Sequence, residues 1–274
     1  MSTALLFPGQ GTPGRATPVS TTDTQVALLT TGVAAARTLI DEHGLRVDAV
    51  AGHSAGVFGA AVVAGVLDLP AALRVVRVRG AAMERACASG SWAMAAVRGL
   101  DRAAVQRLVD TTYGPLWIAN VNAADQIVVA GTRAALDALR RRAPAAGARD
   151  VIDLGVAVAS HGPLQAGTAR EVARALAGEA HGEQRRAYFA NTTGRRLLHA
   201  PGAVLDDVAL SVQQPVRWHD IVRLMPELGI TTTVQVPPGH ALAALAARAH
   251  PHLTDLAVDD LGIPATVHRL KREE

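Results

Sequence analysis

Val50-Ala51-Gly52-His53-Ser54-Ala55-Gly56, continuing as Val57-Phe58-Gly59-Ala60-Ala61-Val62-Val63-Ala64, is the stretch on which the rest of the chain depends. A short apolar run from Val47 to Ala51 leads into Gly-x-Ser-x-Gly, and a helix of small residues, about Ser54 to Gly65, follows. This is the strand–elbow–helix context of a nucleophilic serine. The glycines permit a sharp turn and close strand–helix contact, leaving the Ser54 hydroxyl at a helix N-terminus, where backbone N–H groups and the helix dipole favour negative charge.

The chain has 274 residues, enough for a large domain carrying an inserted subdomain. Hydrophobic residues make up 49% and charged residues 19%, which argues for a folded, soluble chain. Aromatics are only 3%, so Ala, Val and Leu must fill the core. The net charge is +3, and apart from Arg140-Arg141-Arg142, Arg185-Arg186 and Arg195-Arg196 the basic residues are dispersed. No clustered basic face interleaved with aromatics marks a nucleic-acid partner. Cys87 is the only cysteine, so there is no disulfide framework. No apolar run approaches the ~18 residues of a membrane helix, and Met1 to Pro8 lacks a basic leader. These features predict a cytoplasmic protein with no membrane or nucleic-acid partner.

Outward from the elbow, Ala4 to Phe7 reads as a first buried strand and Thr12 to Thr24 as a loop. Gln25 to His43 reads as a helix, and Ala71 to Met83 as another carrying Arg74, Arg77 and Arg79. From Ser89 the pattern changes. Trp92–Val97 alternates like a strand, Asp101–Thr111 is helical with Asp101 as cap, and Leu116–Val121 and Ile127–Ala130 are strands. Thr132–Ala146 is helical and Asp150–Val158 is a strand. That order, βαββαβ, predicts a ferredoxin-like unit over residues 89–158, inserted into a core of residues 1–88 and 159–274. Beyond it, Pro163–Ala177, Asp206–Ser211, Trp218–Leu228 and His240–Ala249 read as helices. Gln184–Thr192 includes a short strand, Ile230–Val236 is a buried strand, and Arg269–Glu274 is a polar, frayed tail.

A nucleophilic serine needs a base and an orienter for it. Of the ten histidines, context favours His161, in Ala159-Ser160-His161-Gly162-Pro163, just past the strand that closes the insert. His53 adjoins Ser54 but points to the opposite side of a tight turn.

Six motifs occur in the order seen in malonyl-CoA:acyl carrier protein transacylases, and the chain resembles that family from Leu5 to about Arg248. They are Phe7-Pro8-Gly9-Gln10-Gly11, Gly52-His53-Ser54-Ala55-Gly56, Arg77-Val78-Arg79-Gly80, Ala119-Asn120-Val121-Asn122 with Gln126-Ile127-Val128-Val129-Ala130-Gly131, Ser160-His161, and Gln214-Pro215-Val216-Arg217-Trp218. Within the family, Thr31–Arg37, Trp117–Gln126 and Val236-Pro237-Pro238-Gly239 look most like the epsilon subunit of malonate decarboxylase.

The resemblance implies an α/β-hydrolase-like core with a parallel sheet and the ferredoxin-like insert. It implies Ser54 as nucleophile, His161 as base, and the backbone carbonyl of Ser211 as the orienter of that base. Backbone N–H groups of Gln10 and Ala55 would form the oxyanion hole, and Arg79 would hold the free carboxylate of a malonyl group. Gln25, His53 and Asn122 would line the site, while the plainer reading of Asn120, Asn122 and Gln126 is that they satisfy nearby strand and loop backbone. No metal or bound cofactor is implied. The substrate would be malonyl-CoA, a coenzyme A thioester, and the acceptor the phosphopantetheine-type thiol of an acyl carrier protein, with other malonate decarboxylase subunits as further partners.

Between Gly11 and Thr24 the chain is much shorter than the family's counterpart, which adds helices beside the active-site mouth. Gly9-Gln10-Gly11-Thr12-Pro13 and Val158-Ala159-Ser160 also depart from the commoner family forms. Alternative readings are a thioesterase or proofreading hydrolase, a fatty-acid or polyketide transacylase selecting malonyl or methylmalonyl, and a non-catalytic docking subunit.

Overall fold

The computed structural model describes residues 2–10 and 20–272. Strand β1 (Thr3–Phe7) is buried along its whole length, as an unbroken apolar run covered on both faces should be. Helix α1 (Thr21–Arg37) starts before the expected Gln25, because the Ser20 hydroxyl accepts the Asp23 N–H at 3.0 Å and caps it. Thr21–Thr24 are therefore helical, and Thr12–Val19 of the expected loop lie outside the described residues. A π turn over Thr38–Glu42 ends the helix, and the left-handed Gly44 (φ 71°) follows. Strand β2 (Ala49–Gly52) then enters a 3₁₀ turn at Ser54–Gly56 and helix α2 (Val57–Ala64). Helix α3 (Leu69–Cys87) is capped by Asp68 and runs beyond both ends of the expected Ala71–Met83.

The insert follows the expected order: β3 (Trp92–Arg98), α4 (Arg102–Asp110), β4 (Leu116–Ala123), β5 (Gln126–Thr132), α5 (Arg133–Arg142) and β6 (Asp150–Asp153). Its strands form an antiparallel sheet in the order β4-β5-β3-β6, the ferredoxin-like arrangement. Asp150–Val158 is not one strand. Pairing with β3 stops at Asp153, Leu154 N–H makes a last bond to Met94 O at 3.0 Å, and Gly155 (φ 66°) turns the chain away toward His161.

After helix α6 (Ala166–Ala177) come β7 (Ala187–Phe189), β8 (Arg196–Leu197) and α7 (Pro201–Leu210), whose Pro201 starts it ahead of the expected Asp206. Then follow α8 (Trp218–Glu227), β9 (Thr232–Gln235) and α9 (Ala241–Ala249). Strand β10 (Thr254–Ala257) and helices α10 (Val258–Leu261) and α11 (Ile263–Lys271) complete the chain. The tail expected to fray is instead helical through Lys271, because Val267 and Leu270 are buried against the core; Glu273 and Glu274 lie outside the described residues.

The core sheet runs β10-β9-β1-β2-β7-β8, parallel except for the last pair. One face packs against α1, α2, α3, α6 and α7 through residues such as Val33, Phe58 and Val75. The other packs against α8 and α9 through Trp218, Ile221 and Leu242. The insert is stapled to the core where Val121 N–H donates to Val216 O (2.8 Å) and Val216 N–H to Ala119 O (2.9 Å). Its helix-free face, with Met94, Ala96 and Val128, therefore stands over the carboxyl ends of β1 and β2, where open α/β sheets carry their sites. No helix among the described residues is long and apolar enough to cross a membrane.

Candidate active site

Ser54 stands at the end of β2 in the left-handed region, with φ 53°. The two glycines around it are required by contact. A Cβ on Gly52 would lie 2.2 Å from the Gly56 carbonyl carbon, and one on Gly56 would lie 2.1 Å from the Phe7 carbonyl oxygen. The elbow closes only because β1, β2 and the helix start meet backbone to backbone.

His161 arrives from the other side of the insert, 107 residues away, and its Nε2 lies 2.8 Å from Ser54 Oγ. Its backbone N–H donates to Val212 O (2.7 Å) and its Nδ1 lies 2.6 Å from Ser211 O. A carbonyl can only accept, so Nδ1 carries the proton and Nε2 offers a lone pair to the Ser54 hydroxyl. Burial drives the imidazole pKa down to about 3, with the neighbouring Arg79 and His53 charges adding to the effect. At neutral pH His161 is a neutral acceptor.

Arg79, on α3, is 1% exposed, and its Nη2 reaches Ser54 Oγ at 3.4 Å. Its Nε has no hydrogen-bond partner, and no carboxylate among the described residues pairs with it. Burial lowers its pKa to about 10, which still leaves a cation at neutral pH. An uncompensated buried guanidinium is costly, so this position calls for an anion. The space before it, about 30 Å³, is bounded by Ser54, Met83, Met94, Val158 and His161. Beside it a cleft of about 480 Å³ opens between insert and core, lined by Gln10, His53, Asn122, Leu154 and Leu245 among others.

A buried Ser–His pair at a glycine elbow, facing an unpaired arginine, is an acyl-transfer geometry, and comparison with known proteins agrees. Residues 7–271 match the acyl transferase domain family. The malonyl CoA-acyl carrier protein transacylase of Escherichia coli K12 is 32% identical over 88% of this chain and 78% of its own length. The chain belongs to the malonyl-CoA:acyl carrier protein transacylase family. The Bacillus subtilis 168 transacylase is 30% identical over 92% of this chain and 80% of its own. A solved type II PKS acyl-carrier protein in complex with its malonyl-transacylase superposes with TM-score 0.91 at 28% identity, covering 98% of this chain and 100% of that one. The Coxiella burnetii transacylase gives TM-score 0.91 at 26% identity, covering 99% of this chain and 98% of that one.

The remaining positions singled out in this transacylase-family chain gather around the same site. Ala55 is buried directly after Ser54. The Gln10 side chain accepts from Gln25 Nε2 at 3.4 Å, and Gln25, itself 1% exposed, also touches Met83 Sδ. His53 does not meet the Ser54 hydroxyl; it lies edge-on to Trp218 and borders the larger cleft, and burial lowers its pKa. Asn120 and Asn122 do not spend their side chains on backbone as expected: both meet His53 Nε2, at 3.2 and 3.0 Å. Among the described residues, no three His, Cys, Asp or Glu side chains cluster as metal ligands would.

Sequence reading missed Asn191 and Asp207. Asn191 Oδ1 accepts the Ser54 N–H at 3.0 Å, and its Nδ2 donates to the Gly52 carbonyl. In sequence, Asn191-Thr192-Thr193-Gly194 is an ordinary turn after a short strand; only complete burial of Asn191 sets it apart.

Proposed function

We propose that this protein transfers a malonyl group from malonyl-CoA to the thiol of an acyl carrier protein through a Ser54 ester. The observation that carries this reading is Arg79: a buried cation without an anionic partner among the described residues, 3.4 Å from Ser54 Oγ. A guanidinium offers two parallel charge-assisted bonds to a carboxylate, which the free end of a malonyl group supplies and an acetyl group does not.

In the first half-reaction Ser54 Oγ attacks the thioester carbonyl while its proton passes to His161 Nε2. The oxyanion is held by the backbone N–H groups of Gln10 and Ala55, each such donor being worth about 3 kcal/mol in the transition state. Collapse breaks the C–S bond, and the departing coenzyme A sulfur takes the proton from His161. In the second half the carrier's phosphopantetheine-type thiol gives its proton to His161 and attacks the ester. Ser54 leaves as alkoxide and recovers that proton. Ser211 O keeps the imidazole in the tautomer that both halves need, without an acidic third member.

The cleft between insert and core is open enough to admit the arm of either thioester, while the small space before Arg79 takes only a short acyl group. A narrower reading, the epsilon subunit of malonate decarboxylase charging that complex's own carrier subunit, rests on the compact N-terminal half, Thr31–Arg37, Trp117–Gln126 and Val236–Gly239. The malonyl preference over methylmalonyl belongs to the same proposal.

Radiolabelled malonyl-CoA should label wild-type protein covalently and leave Ser54→Ala unlabelled. Added holo-acyl carrier protein should then remove the label as malonyl-carrier faster than free malonate forms. Unlabelled wild type would overturn the acyl-enzyme, and release mainly as free malonate would make the protein a hydrolase.

A further inference from the structure

We infer that Asn191 is a positioning residue for the Ser54 nucleophile. The inference rests on the acyl-enzyme reading above. One amide side chain spans the elbow: Oδ1 accepts from Ser54 N–H at 3.0 Å, and Nδ2 donates to the carbonyl of Gly52, two residues earlier. Ser54 sits at φ 53°, a left-handed conformation that is strained for an L-residue and persists only where its surroundings impose it. Asn191 supplies such a constraint, fixing the backbone on both sides of the strained residue.

Asn191 is itself held by a buried anchor. Asp207, on α7, is 3% exposed, yet its carboxylate accepts the N–H of Asn191 (3.0 Å), the N–H and hydroxyl of Thr192 (2.9 and 2.7 Å) and the hydroxyl of Tyr188 (2.8 Å). Burial pushes the Asp207 pKa upward while these donors oppose it. The chain of contact runs from α7 through the end of β7 to the elbow, independently of the His161 side of the site.

This arrangement also selects which backbone donors face the substrate. With the Ser54 N–H engaged by Asn191, the N–H of the next residue, Ala55, is the elbow donor left for an oxyanion. Without the clamp, Ser54 can relax from the left-handed region, moving its Oγ away from His161 Nε2 and turning the Ala55 N–H with it. A misplacement on that scale costs on the order of 100-fold in rate. Because neither Oδ1 nor Nδ2 of Asn191 reaches the cleft lining, substrate affinity should be spared.

The test combines kinetics with hydrogen exchange on the full chain. Asn191→Ala should lower the rate of Ser54 acylation by malonyl-CoA about 100-fold while KM changes less than about threefold. Asn191→Asp, which keeps the acceptor for Ser54 N–H, should recover part of that rate. In wild type, amide exchange resolved to Ser54 should show protection comparable to that of strand β2. Asn191→Ala acylating at the wild-type rate, or losing its efficiency through KM, would overturn the inference. Should that variant fail to fold, a Ser54 amide exchanging as fast as an exposed loop amide would overturn it. Exchange needs no substrate, so wild type that is never labelled by malonyl-CoA would count against the acyl-transfer reading, while the Ser54 amide still reports on the clamp.

Discussion

Arg79 Nη2 lies 3.4 Å from Ser54 Oγ with no carboxylate among the described residues to neutralise it. The guanidinium belongs to α3, the second helix after the elbow, so the nucleophile and the cation come from one stretch of chain. With Ser54 as the proposed nucleophile, a buried charge held this close to it would make acyl-group selection electrostatic. Arg79→Ala should lower kcat/KM for malonyl-CoA at least ~100-fold and change the value for acetyl-CoA far less. Rates of Ser54 acylation from the two thioesters measure it; equal losses on both would remove the carboxylate role.

The depressed pKa of His161, about 3, predicts an unusual pH profile. As the proposed base, His161 would work only when neutral, so kcat/KM for acylation should stay flat from about pH 8 down to about pH 4 and fall below that. An ordinary histidine would show the loss near 6.5. Stopped-flow acylation across this range distinguishes the two.

The same shift bears on stability. The unfolded imidazole, at its ordinary 6.5, binds a proton that the folded one refuses down to about 3. Between those values the unfolded state carries more protons, so stability is full above 6.5 and falls as the pH drops through the window. Urea midpoints at pH 7 and pH 5 should therefore differ, and His161→Gln should reduce the difference.

His161 Nδ1 meets the Ser211 backbone carbonyl at 2.6 Å, while the Ser211 hydroxyl bonds elsewhere, to Val208 O at 3.2 Å. Ser211→Ala should thus retain acylation within about threefold and cost about 1 kcal/mol of stability. A much larger kinetic loss would mean that the hydroxyl, rather than the carbonyl, orients the base.

Gly56→Ala should be severely destabilising, by about 3 kcal/mol or more, because its Cβ would meet the Phe7 carbonyl at 2.1 Å. Denaturant unfolding measures this directly. By contrast, nothing lies within 4 Å of a Cβ on Gly202, and Gly202→Ala should change stability by less than about 1 kcal/mol.

What could be read in the sequence was what is encoded locally. Insert strands such as Trp92–Arg98, and the Asp101 cap of α4, follow from periodicity and a single side chain. Boundaries failed where a distant partner sets them: β6 ends where β3 stops pairing with it, and the C-terminal residues stay helical because the core receives Val267 and Leu270. Strand β10, Thr254–Ala257, is short and partly polar, and only its parallel register with β9 makes it a strand.

The elbow marks the division most clearly. Gly52-His53-Ser54-Ala55-Gly56 by itself determined a sharp strand-to-helix turn with a serine at its tip, because the space around each glycine is filled by neighbouring backbone. Tertiary structure alone decided what surrounds that serine. His161 stands 107 residues away, Ser211 a further 50 along, and Asn191 137 residues from Ser54. Their meeting depends on the strand order of the core sheet and the seat of the insert above it. Sheet order is settled by which buried faces pack together across the whole chain, and no local window of residues carries that information.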